Sequence, residues 1–234
     1  MRSALRMSFE KMVGNGKGKK KQVFNGNAVA ISSTLALTAL HGYVKVGHAV
    51  TLHTSSGVKL KGTVVLDVYE AEAVDISVIA LTEGEFPCYT PVAIQPVTLL
   101  EVVYLAGLQV DARDDVAQAV FQSQVNVIQQ GENSALFQSS YVSFGSLSGA
   151  GVVVKRVGNA FRVIGVHVAS HDNTTTTPPV TEAKETAGSA DLESVNLAVT
   201  SLSSNSHGHF AYTMVCEIAR VPSLIEFLRK KGLC

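Results

Sequence analysis

His41, Asp75 and Ser148 are the residues of this 234-residue chain whose types and settings suggest joint chemistry. A serine hydroxyl is a poor nucleophile near neutral pH. It becomes an effective one when a histidine takes its proton and a carboxylate holds that histidine in one tautomer. Ser148 lies in Gly145-Ser146-Leu147-Ser148-Gly149-Ala150, just before the apolar run Gly151-Val152-Val153-Val154. Small residues ahead of a buried strand suit a sharp turn that aims a hydroxyl and backbone N–H groups at one point. His41, in Leu37-Thr38-Ala39-Leu40-His41-Gly42-Tyr43, ends an apolar run and meets a glycine, so it is expected at a strand end. Asp75 leads straight into Ile76-Ser77-Val78-Ile79-Ala80-Leu81. A carboxylate there is poorly hydrated, a loss that only a partner offsets. A hydrogen bond to His41 supplies one.

Each residue has an ordinary reading as well: a surface histidine, a turn-capping aspartate, a loop serine. Ser146 is a rival nucleophile, although Gly149 after Ser148 favours Ser148. Asp67 and Glu72 are alternative carboxylates, but neither leads an apolar strand. The remaining histidines, His48, His53, His171, His207 and His209, form no convincing constellation. His207-Gly208-His209 has only a weak claim as a metal site, so neither a metal nor another cofactor is expected.

The elements that must position these side chains read as strands. Short β-branched runs alternate with Gly, Asn and Ser: 27–32, 35–40, 49–53, 59–69, 76–81, 101–105, 117–129, 135–138, 151–156 and 161–168. This spacing predicts an all-β sandwich or barrel, with no long helical pattern interrupting it. Val152 to Val166 predicts a hairpin with Gly158-Asn159 in its turn. Residues 1–21, with Gly14-Asn15-Gly16-Lys17-Gly18 followed by Lys19, Lys20 and Lys21, read as a flexible basic arm with room for a short amphipathic helix. Residues 171–206, rich in Thr, Ser and Ala, read as a long polar insertion. A last strand is predicted over 210–217 and an amphipathic helix over 222–231. Pro222 would open that helix, and Arg229, Lys230 and Lys231 complement the dipole at its end.

Composition narrows the function classes. Nineteen basic and nineteen acidic residues balance to a formal net charge of zero, which argues against a general nucleic-acid binder. Three cysteines without regular spacing, Cys88, Cys216 and Cys234, do not make a disulfide framework. With no apolar signal segment near the N-terminus, an intracellular, cytoplasmic setting is expected. No apolar run is long enough for a membrane span.

Thr38-Ala39-Leu40-His41-Gly42, Asp75-Ile76-Ser77-Val78-Ile79 and Gly145-Ser146-Leu147-Ser148-Gly149 together resemble the three signature blocks of chymotrypsin-like (trypsin-fold) serine proteases. The resemblance runs from about residue 24 to 170, plus the C-terminal helix. It implies two six-stranded antiparallel β-barrels, the first over about 22–100 and the second over about 101–234. It also implies a cleft site, with His41 as base, Asp75 orienting it and Ser148 as nucleophile. The implied oxyanion hole is made by the N–H groups of Ser146 and Ser148. Ile164-Gly165-Val166-His167-Val168 resembles the specificity strand of glutamyl endopeptidases and of viral members of the group. There His167, with Ser143 beside it, would contact a Glu or Gln before the scissile bond. A buried structural role for His167 is the other reading.

The chain also departs from the family pattern. Leu147 stands where digestive members carry an aspartate that pairs with a freed N-terminus, so that activation switch is not expected. Ser146 replaces a glycine at the oxyanion hole, and the signature disulfides are missing. The implied function is a serine endopeptidase with a polypeptide substrate, and self-processing from a polyprotein is a further expectation. A catalytically inactive protease fold used as a binding module is the alternative. A β-rich domain that recruits RNA through residues 1–21 is a third.

Overall fold

The computed structural model describes residues 2–13, 20–110, 116–128, 135–139, 147–171 and 212–234. Its strands close into two six-stranded antiparallel barrels. The first holds β1 (Ala4–Val13), β2 (Lys20–Ala30), β3 (Leu35–Thr38), β4 (Ala49–Thr54), β5 (Lys59–Asp67) and β6 (Ser77–Leu81), in the order β1-β2-β3-β6-β5-β4. The second holds β7 (Val102–Val110), β8 (Val116–Ile128), β9 (Leu136–Ser139), β10 (Gly151–Lys155), β11 (Phe161–His171) and β12 (Tyr212–Glu217). Read from β7, its order is β7-β8-β9-β12-β11-β10, the same winding as the first. A four-residue helix, α1 (Tyr69–Glu72), precedes Asp75, and α2 (Pro222–Lys230) ends the chain.

Closure removes the exposed edges that an open sheet presents. The first barrel closes where β1 pairs with β4, with Leu5 opposite Thr54 and Met7 opposite Leu52. Residues 4–13 are therefore a barrel strand and not a flexible arm or a helix. Leu5, Met7 and Phe9 alternate into the first core and are almost fully buried, which gives the segment its reason to pair. Lys20 and Lys21 likewise open β2 opposite Val13 and Met12. The 152–166 hairpin forms between β10 and β11, with Gly158 and Asn159 both at positive φ in its turn.

The apolar residues divide into three clusters. One fills the first barrel around Leu52, Val64 and Ile79. A second fills the other barrel around Leu105, Val125 and Phe137. The third lies between them, where Val29, Leu37 and Ile76 meet Val153, Val166 and Cys216, and Leu224 and Leu228 of α2 join the layer. A Glu72 carboxylate oxygen accepts the Ser223 N–H at 3.0 Å, so α1 tethers the start of α2. This middle layer fixes the two barrels against each other, which a site built from both requires.

Candidate functional site

His41 follows β3, Asp75 precedes β6, and β3 and β6 are hydrogen-bonded neighbours with Thr38 opposite Ser77. Their ends therefore lie together. Asp75 uses both carboxylate oxygens. Oδ1 accepts the backbone N–H groups of Leu40 at 2.9 Å and His41 at 2.8 Å. Oδ2 lies 2.6 Å from His41 Nδ1. His41 sits at φ 50, a left-handed conformation that side-chain-bearing residues avoid. The two N–H bonds to Oδ1 hold the backbone in it, and Gly42 continues the turn at φ 66.

Ser148 comes from the second barrel. Its Oγ lies 3.0 Å from His41 Nε2 and 3.4 Å from the Val168 carbonyl. With Nδ1–H donating to Asp75, Nε2 presents its lone pair to the Ser148 hydroxyl proton. The Ser148 turn is clamped from both barrels. The Ser148 carbonyl accepts the Asn27 N–H at 2.7 Å, and the Gly149 N–H donates to the His167 carbonyl at 2.8 Å. Gly149 has φ 84, and a Cβ there would run into the Asn27 carbonyl and come within 2.6 Å of Thr38 Oγ1. Gly149→Ala is therefore expected to cost about 2 kcal/mol or more, because backbone cannot yield as a flexible side chain does. Chemical denaturation reads this loss.

Asn27 is a residue that sequence reasoning missed. It is 1% exposed. Its side chain joins the barrels by giving Nδ2–H to the Leu108 carbonyl at 3.0 Å and accepting the Leu108 N–H at 2.6 Å. Its own carbonyl accepts the Thr38 hydroxyl at 2.7 Å. The signal was a lone amide in the apolar run Gly26-Asn27-Ala28-Val29-Ala30, since a buried amide needs partners.

Electrostatics in the site follow from burial and from Asp75. Burial alone would lower the His41 pKa. The hydrogen bond to Asp75 and its negative charge outweigh that and leave the pKa above the ordinary 6.5. His41 therefore binds a proton more tightly in the fold than in the open chain. The stability this contributes is complete below the ordinary value and is lost as pH rises through the raised one. Any reaction needing neutral His41 has the opposite slope, rising with pH to a plateau with its midpoint above 6.5. An NMR titration of the His41 ring, overlaid on a pH–rate profile, checks both.

His167 lies on β11 against the Ser148 turn, its N–H donating to the Ala150 carbonyl at 2.9 Å. It is 2% exposed. Burial, and then the neighbouring His41, push its pKa down to about 3, so it stays neutral. Cys216 is buried behind Asp75. Burial and then the Asp75 charge push its thiol pKa up, which keeps it protonated. All three cysteines are unpaired. Ser143 and Ser146, and with them half of the expected oxyanion hole, lie outside the described residues, as do the 171–206 insertion beyond His171 and His207-Gly208-His209. Among the described residues no group of three or more His, Cys, Asp and Glu is arranged to hold a metal, and no helix is long and apolar enough to cross a membrane.

No protein-family model matches the chain, and no curated protein matches it. Among solved structures it is similar to an HtrA-type protease, AlgW, with a decapeptide. That match has a TM-score of 0.60 and 12% identity and covers 99% of this chain. This chain spans 65% of the length of that one. At such low identity the likeness shows the fold alone. Together with the two closed barrels, it shows a chymotrypsin-like fold.

Proposed function

We propose that the chain is a serine endopeptidase in which Ser148 attacks the peptide carbonyl, His41 is general base and then general acid, and Asp75 orients His41. The observation that carries this reading is the unbroken relay from Asp75 Oδ2 to His41 Nδ1 at 2.6 Å and from His41 Nε2 to Ser148 Oγ at 3.0 Å. Both spans are within proton-transfer reach. In the first step Ser148 Oγ bonds to the substrate carbonyl carbon as its proton passes to Nε2. The imidazolium then gives that proton to the leaving amine, and the C–N bond breaks to leave the acyl-enzyme. Water reverses the sequence and releases the acid. The proposed oxyanion donors are the N–H groups of Ser146 and Ser148.

The substrate reading is a polypeptide cut after Glu or Gln, with His167 and Ser143 bordering the side chain before the scissile bond. A neutral imidazole offers one N–H to a carboxylate or amide oxygen without a charge of its own. A peptide library, with products mapped by mass spectrometry, tests this. Cleavage is expected to cluster after Glu and Gln, and His167→Ala is expected to flatten that preference. A profile dominated by Arg, Lys or aromatic residues contradicts the substrate reading. No cleavage of any peptide contradicts the peptidase reading itself.

A further inference from the structure

The outer face of the first barrel holds a group of polar residues that the proposed chemistry does not use. Strands β1, β4 and β5 lie side by side. Their registers set Arg6 opposite His53 and His53 opposite Lys59. One step along, Ser8 stands opposite Thr51, and Thr51 opposite Lys61. Their neighbours Leu5, Met7 and Leu52 point into the core, so these six point outward. With adjacent strands about 4.8 Å apart and same-face residues about 6.7 Å apart, the six stand on a patch roughly 10 Å by 7 Å.

Five of them, all but Arg6, line a cavity of about 480 Å³, together with Leu60 and Glu83. Arg6 and Lys59 flank His53 in one row, two cations with no carboxylate between them. The crowding is felt at His53, where burial, then the Lys59 charge, then the Arg6 charge hold its pKa below the ordinary value. The ion pairs among the described residues leave out Arg6, Lys59 and Lys61. A cluster of cations and hydroxyls around a concavity, without an ion-paired carboxylate, is the counterpart of an anion.

We propose that this groove binds a tetrahedral oxyanion, the phosphate or sulfate group of a small ligand, held by Lys59 and Lys61 and by the hydroxyls of Ser8 and Thr51. The donors rise from three strands in two rows. Four donors match the four oxygens of a tetrahedral anion better than the two of a carboxylate. Glu83 shares the cavity and opposes the ligand's charge, so it weakens binding. The groove is built on residues other than His41, Asp75 and Ser148, and the inference does not rest on the peptidase reading.

The test is an NMR titration of the His53 ring with inorganic phosphate, and separately with sulfate, at ionic strength held constant with sodium chloride. A saturable response is expected to at least one oxyanion, with the His53 midpoint rising by about half a pH unit or more as the anion offsets Lys59 and Arg6. The tighter of the two identifies the group the groove takes. Lys59→Gln with Lys61→Gln is expected to abolish the response, and Glu83→Gln to tighten binding severalfold. These are exposed positions, so the variants keep the fold. Absence of a saturable response to either oxyanion overturns the proposal. So does an unchanged response in the double variant, or an equal response to acetate.

Discussion

Ser148→Ala is expected to lower kcat for peptide cleavage by about a millionfold, the scale seen when the nucleophile of such a relay is removed. The fold should not change. The Ser148 hydroxyl is half-buried and bonds chiefly to His41, itself partly open to solvent, so its loss strands no deeply buried group. The clamps on the turn are backbone bonds, from Asn27 N–H to the Ser148 carbonyl and from Gly149 N–H to the His167 carbonyl. Alanine keeps both. A thermal melt within a degree or two of the parent, beside the lost activity, separates a chemical defect from a structural one. Ser146→Ala should retain the nucleophile, because it is the Ser148 Oγ that lies 3.0 Å from His41 Nε2.

Asp75→Asn is expected to reduce kcat by about ten-thousandfold with KM little changed. The reason lies in how fully the carboxylate is used. One oxygen takes two backbone N–H groups and the other faces Nδ1. An asparagine keeps only one acceptor oxygen. If that oxygen stays with the Leu40 and His41 N–H groups, the amide NH₂ confronts Nδ1 and forces the proton onto Nε2. The imidazole then cannot accept from Ser148. If the amide is reversed, its NH₂ meets two backbone donors. Either arrangement removes the charge that raises the His41 pKa, so the surviving activity should reach its plateau at lower pH than in the parent. A pH–rate profile of the variant reads this shift, which a general loss of packing would not produce.

Much of this architecture was legible in the chain because its signals are local. The alternation of β-branched runs with turn residues gives strands. An aspartate leading an apolar strand, a histidine ending one, and a serine between small residues each mark a strand end where a polar group needs a partner. The first strand was hidden by its surroundings. Leu5, Met7 and Phe9 carry the period of two, but the glycines and lysines that follow make the whole segment resemble a solvated arm. What the closed barrel adds is non-local: β1 is needed because β4 would otherwise be an open edge. Asn27 shows the same limit. Its position in an apolar run marks it as a buried amide, but only the packing of one barrel on the other supplies Leu108 as its partner. The row of Arg6, His53 and Lys59 is likewise a product of strand register, since no periodicity links residues so far apart in sequence.

The central claim is that His41 and Asp75 activate Ser148 as a nucleophile, and reaction with a fluorophosphonate tests it most directly. The unmodified chain is incubated with the reagent, digested, and the adduct located by mass spectrometry. The account predicts a single adduct on Ser148, formed faster as pH rises through the His41 ionisation and slowed by Asp75→Asn. An adduct on Ser146, or a folded protein that takes up no reagent at any pH, would contradict it and leave a protease fold whose role is binding.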